Sequence, residues 1–351
     1  MTPEVLETQC EWTAEQVADP TQWTEVLSDA EIAEIDEALR VARDHIRAST
    51  GGNAPGSDDL LQIGREQFPL PTLGTRLSRI EHELMNGRGF ALLRGLPRAR
   101  YSNDDMVLAY WGIGAHLGKP WPQNHHGHVL GDVTDQGKTL ADHTSRGNEL
   151  GRIGLDYHCD GSDLVGLLCL QSAASGGLSA VANSVALHNE LVRTRPDLAA
   201  ELYEKQPFDF RGEQATGARG WYLMPIFTHW GERVFIRLIG HYIMTSQRHA
   251  DAPRLTDRAR EALAWMHDQA ESGRYSVRMD FQPGDMQFIN NYHVLHGRTA
   301  YTDDRVSGKV RHLKRLWLET SVLADRPPHF AIAARAHWAS KRVVSRLDAA
   351  R

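Results

Sequence analysis

The run Leu155-Asp156-Tyr157-His158-Cys159-Asp160 sets an imidazole and a carboxylate two positions apart in a short segment of extended character. On a strand, residues i and i+2 project from one face, so His158 and Asp160 can present a nitrogen and an oxygen to the same point. A third donor has to come from elsewhere in the chain. The stretch Asn290-Asn291-Tyr292-His293-Val294-Leu295-His296-Gly297-Arg298 offers two histidines for that place, His293 and His296. Two imidazoles and one carboxylate on a β-scaffold make a metal site with its remaining positions open. Taken alone, a His-x-Asp recurs by chance, and its ordinary reading is a pair that binds nothing. The surrounding segments decide the matter.

Bulk properties narrow the classes. The chain has 351 residues, of which 41% are hydrophobic and 24% charged, the balance of a globular protein with material for a sizeable core. A net charge of −6 gives no electrostatic reason to expect nucleic acid or an anionic membrane as partner. Cys10, Cys159 and Cys169 are too few for a disulfide framework and fit a reducing compartment. The acidic stretch from Met1 to Asp19 lacks the basic and apolar regions of a secretory signal, and no apolar run reaches the length of a membrane span. A cytoplasmic location is the resulting expectation, with a homo-oligomer left open.

Outward from the His-x-Asp run, the pattern alternates short strands with inserted helices. Leu164 to Leu170 reads as a strand buried on both faces, and Ser175-Gly176-Gly177-Leu178-Ser179 as a tight turn into Ala180–Asn183. Helices are expected over Ser184–Thr194, Pro196–Glu204 and Thr256–Glu271, the last capped by Thr256. Strands are expected over Trp221–Phe227, Arg233–Leu238, Tyr275–Phe281, Met286–Asn290 and Val310–Thr320. Upstream, Ser28-Asp29-Ala30-Glu31 forms a capping box before an apolar helical face, and a second helix runs from Thr72 to Asn86. The segment Gly89–Pro97 reads as a strand, Asp104–Leu117 as a helix and Val129–Val133 as a strand. The polar stretch Trp121–Gly154 is expected to be a substrate loop. Residues 331–351 carry Arg335, Lys341, Arg342, Arg346 and Arg351 and suggest an exposed terminal helix. No repeat or composition shift divides the chain. The expected architecture is α+β, mainly β: a double-stranded β-helix (jelly-roll) core over 89–320 with flanking and inserted helices. A helical region over 1–88 and a helical tail over 321–351 complete a single domain spanning 1–351.

In this order the segments resemble the taurine dioxygenase / clavaminate synthase-like family of Fe(II)- and 2-oxoglutarate-dependent oxygenases. The resemblance runs from about Gly89 to Leu318. It rests on the GFALLRGLP strand at 89–97, Gly118-Lys119-Pro120, His158-Cys159-Asp160, Leu167-Leu168-Cys169-Leu170 and Gly176-Gly177-Leu178-Ser179. Downstream it continues with Pro283-Gly284-Asp285, the Asn-Asn-x-x-x-x-His-Gly-Arg run at 290–298, and Arg311-His312-Leu313-Lys314-Arg315. It implies His158, Asp160 and His296 as iron ligands, with His296 preferred to His293 because it directly precedes Gly297-Arg298. Arg311 matches the guanidinium that forks onto the distal carboxylate of 2-oxoglutarate, a task suited to a planar bidentate donor. Ser179 matches a hydroxyl residue, commonly threonine, that helps hold the same group. Arg315 matches a position reaching the substrate's acidic group or the cosubstrate, with a structural ion pair as the competing reading.

The implied reaction consumes 2-oxoglutarate and O2 with Fe(II), releases succinate and CO2, and hydroxylates or desaturates a small carboxylate-bearing molecule, such as an amino acid. Because Asp160 is present, halogenation, which uses the vacancy left by a missing carboxylate, is disfavoured. Asp156 is a further candidate for a substrate ammonium or for orienting a ligand histidine, with Asn148, Glu149 and Arg152 as candidates from the loop. Cys159 points away by alternation and reads as core. Two other classes compete: a jelly-roll binding protein without catalysis, and a cupin-type metalloenzyme independent of 2-oxoglutarate. The intact triad with both arginines argues against the first, and the spaced strand arginine at 311, with only two histidines in the site, against the second.

Overall fold

Eight strands carry the architecture: β1 (Phe90–Arg94), β2 (Leu155–His158), β3 (Leu164–Gln171), β4 (Ser179–Asn183), β5 (Ser276–Met279), β6 (Met286–Asn290), β7 (Val294–Arg298) and β8 (His312–Glu319). The computed structural model describes residues 3–49, 57–330 and 341–344. In one sheet the order is β1-β6-β3-β8, antiparallel throughout, extended at one edge by Thr24–Val26 and at the other by Lys119–Pro120 and Leu130–Val133. In the facing sheet the order is β5-β4-β7-β2, again antiparallel. This is the jelly-roll expected from the sequence.

Alternation assigns each strand two roles. Phe90, Leu92, Val165, Cys169, Ile289, Leu313 and Trp317 from the larger sheet meet Val181, Met279 and Val294 of the smaller one in the interior between them. Their neighbours Ala91, Leu93, Leu164, Leu168, Phe288, Leu316 and Leu318 point the other way, into a second core roofed by helices. Burying a side chain the size of Phe288, which is 1% exposed, contributes roughly 2–3 kcal/mol, so both faces of the larger sheet are strongly held. Three helices, Asp29–Ser49, Leu73–Asn86 and Asn103–Ala115, supply the outer layer. The last is buried on every side from Met106 to Gly114, with the Tyr110 ring 6.1 Å from that of Phe288. Ser184–Thr194, Pro196–Tyr203 and Asp257–Glu271 pack together beside the smaller sheet.

Local signals account for most element ends. Ser28 and Glu31 close the expected box, Ser28 N donating to Glu31 Oε2 at 2.8 Å, and Thr256 Oγ1 accepts from Ala259 N at 2.9 Å. Four expectations need correction. The N-terminal region is not purely helical, because Thr24–Val26 joins the larger sheet in parallel with β1. The strand expected over Trp221–Phe227 divides at Ile226 into Trp221–Pro225 and Phe227–Trp230. The described part of the expected helical tail holds two short 3-10 turns, Ser321–Leu323 and Pro328–Phe330. Beyond them, Lys341–Val344 form a turn and a bridge to His128, and the rest of the expected terminal helix lies outside the described residues. Finally, β2 ends at His158, so Asp160 is not a strand residue.

Candidate active site

His158 and His296 stand directly opposite each other in the β2·β7 ladder, their ring centroids 4.3 Å apart. His158 Nδ1 lies 2.8 Å from the Asp156 carbonyl oxygen. A carbonyl only accepts, so Nδ1 carries a hydrogen, which leaves Nε2 as the ring nitrogen available to a ligand. His296 Nε2 is 3.7 Å from Asp160 Oδ2, and the ligand atoms of His158, Asp160 and His296 all lie within 4.8 Å of one another. Burial, reinforced by His158, brings the His296 pKa down to about 3, so its imidazole is neutral and free to donate a lone pair. Burial pushes the Asp160 carboxyl up, but Arg315, His296 and His158 together outweigh it and hold the group well below the usual carboxylate range. Two imidazole nitrogens with one ionised carboxylate are the donor set that suits Fe(II). His293 is buried elsewhere, its Nδ1 without a partner among the described residues, and takes no part in this cluster.

Since Asp160 lies beyond the strand, other residues must hold it. Asn291, fully buried, accepts from Asp160 N at 2.8 Å and donates to Asp160 O at 2.6 Å and Ser162 O at 2.9 Å, a side-chain copy of a strand partner. Arg237 Nη1 donates to the same Asp160 carbonyl. Cys159 packs away from the cluster as expected, and its main-chain N–H donates to Leu238 O at 2.8 Å. On the carboxylate itself, Oδ2 accepts from Trp317 Nε1 at 2.9 Å and Arg315 Nη1 at 3.0 Å. Gln123 fixes that arginine from behind, accepting from Arg315 Nε at 2.8 Å and donating to Arg315 O at 2.8 Å. Arg315 is therefore in an ion pair with Asp160.

The interior face of β7 brings Arg298 beside the triad, and β8 is preceded by Arg311. Both guanidiniums are buried with unpartnered nitrogens, Nη1 of Arg311 and Nε and Nη1 of Arg298. They flank the Tyr301 ring at 5.3 and 4.6 Å. Burial, with Arg298 adding to it, pulls the Arg311 pKa down to about 10, as expected for a cation short of an anion. Ser179 sits opposite Arg298 in the β4·β7 ladder and donates to Gln287 Oε1 at 3.2 Å. The tight approach needs the glycines of the preceding turn: Gly176 and Gly177 have φ of +71° and +74°. A Cβ on Gly177 would come 3.1 Å from Arg311 Cδ.

The three triad residues line one cavity of about 510 Å³ together with Ser179, Arg298, Arg311, Arg315 and Trp317. Asp156 sits on its wall, exposed, and acts on His158 through its carbonyl rather than its carboxylate. Of the loop candidates only Asn148 lines the cavity. Glu149 pairs with Lys138 at 2.9 Å, and the Arg152 side chain is 86% exposed. Sequence reasoning gave no role to Asn291, Arg237, Trp317, Gln123 or Arg298. The Asn-Asn and His-Gly-Arg letters were visible as pattern, but partners 131 and 77 residues away from Asp160 leave no local signature.

The sequence profile of the taurine catabolism dioxygenase TauD, TfdA family matches residues 54–317. FR-33289 synthase of Streptomyces rubellomurinus is 31% identical over 314 residues, covering 88% of each chain. The chain belongs to the TauD, TfdA family. It is thus an Fe(II)- and 2-oxoglutarate-dependent dioxygenase. The taurine hydroxylase-like protein SAT17 of Stachybotrys chartarum is 29% identical over 329 residues, covering 90% of this chain and 80% of that one. An asparagine oxygenase crystallised with Fe(II), 2S,3S-3-hydroxyasparagine and succinate shares the fold. Its TM-score is 0.63 at 18% identity, over 85% of this chain and 94% of that one. No helix among the described residues is long and apolar enough to cross a membrane.

Proposed function

We propose that this dioxygenase hydroxylates a small molecule carrying a carboxylate, an amino acid or close relative, with His158, Asp160 and His296 as its iron ligands. The carrying observation is the convergence of those three ligand atoms within 4.8 Å beside buried, unpartnered guanidinium nitrogens on Arg298 and Arg311. A buried cation without an anion is costly, and the distal carboxylate of 2-oxoglutarate supplies the missing partner. When bound, iron with 2-oxoglutarate and O2 supplies an oxidant able to attack a C–H bond, yielding succinate and CO2 alongside product. The chain's own work is placement. The Asp156 carbonyl fixes the His158 tautomer, Trp317 and Arg315 orient the Asp160 carboxylate, and the apolar walls formed by Val133, Leu167 and Leu313 restrict water. Ser179 supports the cosubstrate carboxylate beside Arg311, and Asp156 faces the substrate's ammonium. Asparagine oxygenase, crystallised with a hydroxylated amino acid, supports this substrate class by its fold alone. A cytoplasmic location belongs to the same proposal, supported by three free, buried cysteines.

Anaerobic addition of Fe(II) and 2-oxoglutarate to the purified protein should give a weak visible charge-transfer band, and in air slow succinate release. A candidate amino acid that is the substrate should stimulate that release. Absence of both band and succinate would sink the proposal and favour a binding protein.

A further inference from the structure

The segment from Trp121 to Gly154 reaches the triad through Gln123. This residue is 2% exposed, and both ends of its amide are engaged. Its Oε1 accepts from Arg315 Nε at 2.8 Å, while its Nε2 donates to Arg315 O at 2.8 Å and to Val129 O at 3.1 Å. An amide has an acceptor end and an end with two donors, so these partners fix which way it points. The fold leaves room for it. Gly131 stands opposite Arg315 on the neighbouring strand Leu130–Val133, and a Cβ there would come 2.8 Å from Gln123 Oε1.

Gln123 is also tied outward. Its carbonyl accepts from Arg146 Nη1 at 2.7 Å, and the other terminal nitrogen of Arg146 pairs with Glu213. Glu213 lies between the strands Lys205–Asp209 and Trp221–Pro225, and its neighbour Arg211 donates in turn to Ser145 O at 2.7 Å. Arg146 and Glu213 both line the cavity and are mostly buried. A continuous run of contacts thus joins Glu213, Arg146, Gln123, Arg315 and the Asp160 carboxylate.

We propose that Gln123 is a positioning residue: it sets the Asp160 iron ligand through Arg315 and couples iron binding to the seating of the Trp121–Gly154 segment on Glu213. The inference rests on the oxygenase reading and deepens it. An arginine side chain is long and flexible, and Nη1 of Arg315 is held on Asp160 because Nε is held as well. Without Gln123 the guanidinium is free to leave the carboxylate, and one of the two donors on Oδ2 is lost. Displacing the segment has the same effect, because Gln123 moves with it. Coupling of this kind is reciprocal: what loosens the segment weakens iron binding, and iron tightens the segment.

The test reads the two ends of the coupling separately. Fe(II) affinity is measured anaerobically by competition against a chelator. Trypsin cleavage after Arg152, whose side chain is 86% exposed, is mapped by mass spectrometry and reports opening of the segment. In the wild type, Fe(II) should slow that cleavage about fivefold. Gln123→Leu should weaken iron affinity about tenfold and cut the protection to less than about twofold. Gly131→Ala, which crowds the amide without removing it, should weaken iron about threefold. Glu213→Gln should weaken iron about threefold alone and add nothing in the Gln123→Leu background, the non-additivity of a shared route. If Gln123→Leu fails to fold, Gly131→Ala takes its place in that cycle. Wild-type iron affinity in the Gln123 and Gly131 variants overturns the inference. So do effects at Glu213 and Gln123 that simply multiply, and so does iron binding that leaves cleavage at Arg152 unchanged; all three leave the oxygenase reading intact. A wild-type protein that binds no Fe(II) overturns that reading and this inference together.

Discussion

Single side chains in this site divide by what they touch, and each division predicts a different measurement. Arg311 is buried with an unpartnered Nη1, so Arg311→Ala removes a charged partner from the cosubstrate and little else. Losing one member of a buried charged pair costs about 2–5 kcal/mol, which at 1.4 kcal/mol per decade raises the 2-oxoglutarate requirement roughly 30-fold or more. The iron requirement should move far less, and anaerobic titrations of the charge-transfer band with each component separate the two. Equal shifts would remove Arg311 from its proposed role. Trp317 acts on the metal instead. Its indole N–H is one of two donors to Asp160 Oδ2, so Trp317→Phe keeps the ring in the sandwich interior but frees the carboxylate. Loss of such a supporting contact typically weakens metal affinity about 10–100-fold, readable by anaerobic competition against an Fe(II) chelator. Unchanged iron affinity with a raised 2-oxoglutarate requirement would place the tryptophan elsewhere in the mechanism.

At the scale of elements, the sequence was most legible where a local pattern has a local cause. The strands expected over Met286–Asn290 and Val310–Thr320, the box at Ser28 and the Thr256 cap are written within a few residues, and an element forms at each of these places. Thr24–Val26 is three residues long and gains its stability from pairing with β1, so nothing within it marks a strand. The same limit hid the clasp on Asp160. His158 and Asp160 were expected to share a strand face, whereas the strand stops at His158 and Asn291 continues its pairing with a side chain. The clasp is therefore a stability feature as well as a site feature. Asn291→Ala should leave Asp160 N–H and two carbonyls without that partner, at a cost of about 2–4 kcal/mol from stranded buried groups. Denaturant unfolding measures the loss, and a change below about 0.5 kcal/mol would mean that the other contacts to the 159–162 segment, those of Arg237, Leu238, Arg315 and Trp317, suffice to hold it. Gly112 offers a contrasting case, where the constraint is space: a Cβ there would come 2.2 Å from the Phe68 ring, inside a helix buried on all sides.

Across the whole molecule, burial of histidines ties stability to pH in a direction that the structure fixes. His188 is fully buried, between Tyr203 Oη at 2.8 Å and Asn189 Oδ1 at 3.0 Å, with its ring edge-on to Phe227 at 4.9 Å. Burial brings its pKa down to about 4, and it brings that of His293, also buried, down to about 3. In the unfolded chain both titrate near 6.5, so between about pH 6.5 and 4 the unfolded state binds more protons than the folded one. Stability is therefore present in full above about pH 6.5 and falls as the pH drops through that window. His188 alone accounts for roughly 3 kcal/mol of that fall by pH 4, from a shift of about 2.5 units at 1.36 kcal/mol each. Chemical denaturation of the metal-free protein at half-unit intervals from pH 7 to 4 gives the slope directly. His188→Gln keeps a hydrogen-bonding side chain of similar reach but does not titrate, so its curve should be flatter by about one proton equivalent near pH 5. A slope identical to that of the wild type would show that His188 is protonated in the folded protein, with Asn189 as its acceptor, and that the acid sensitivity of the fold lies in its other buried histidines.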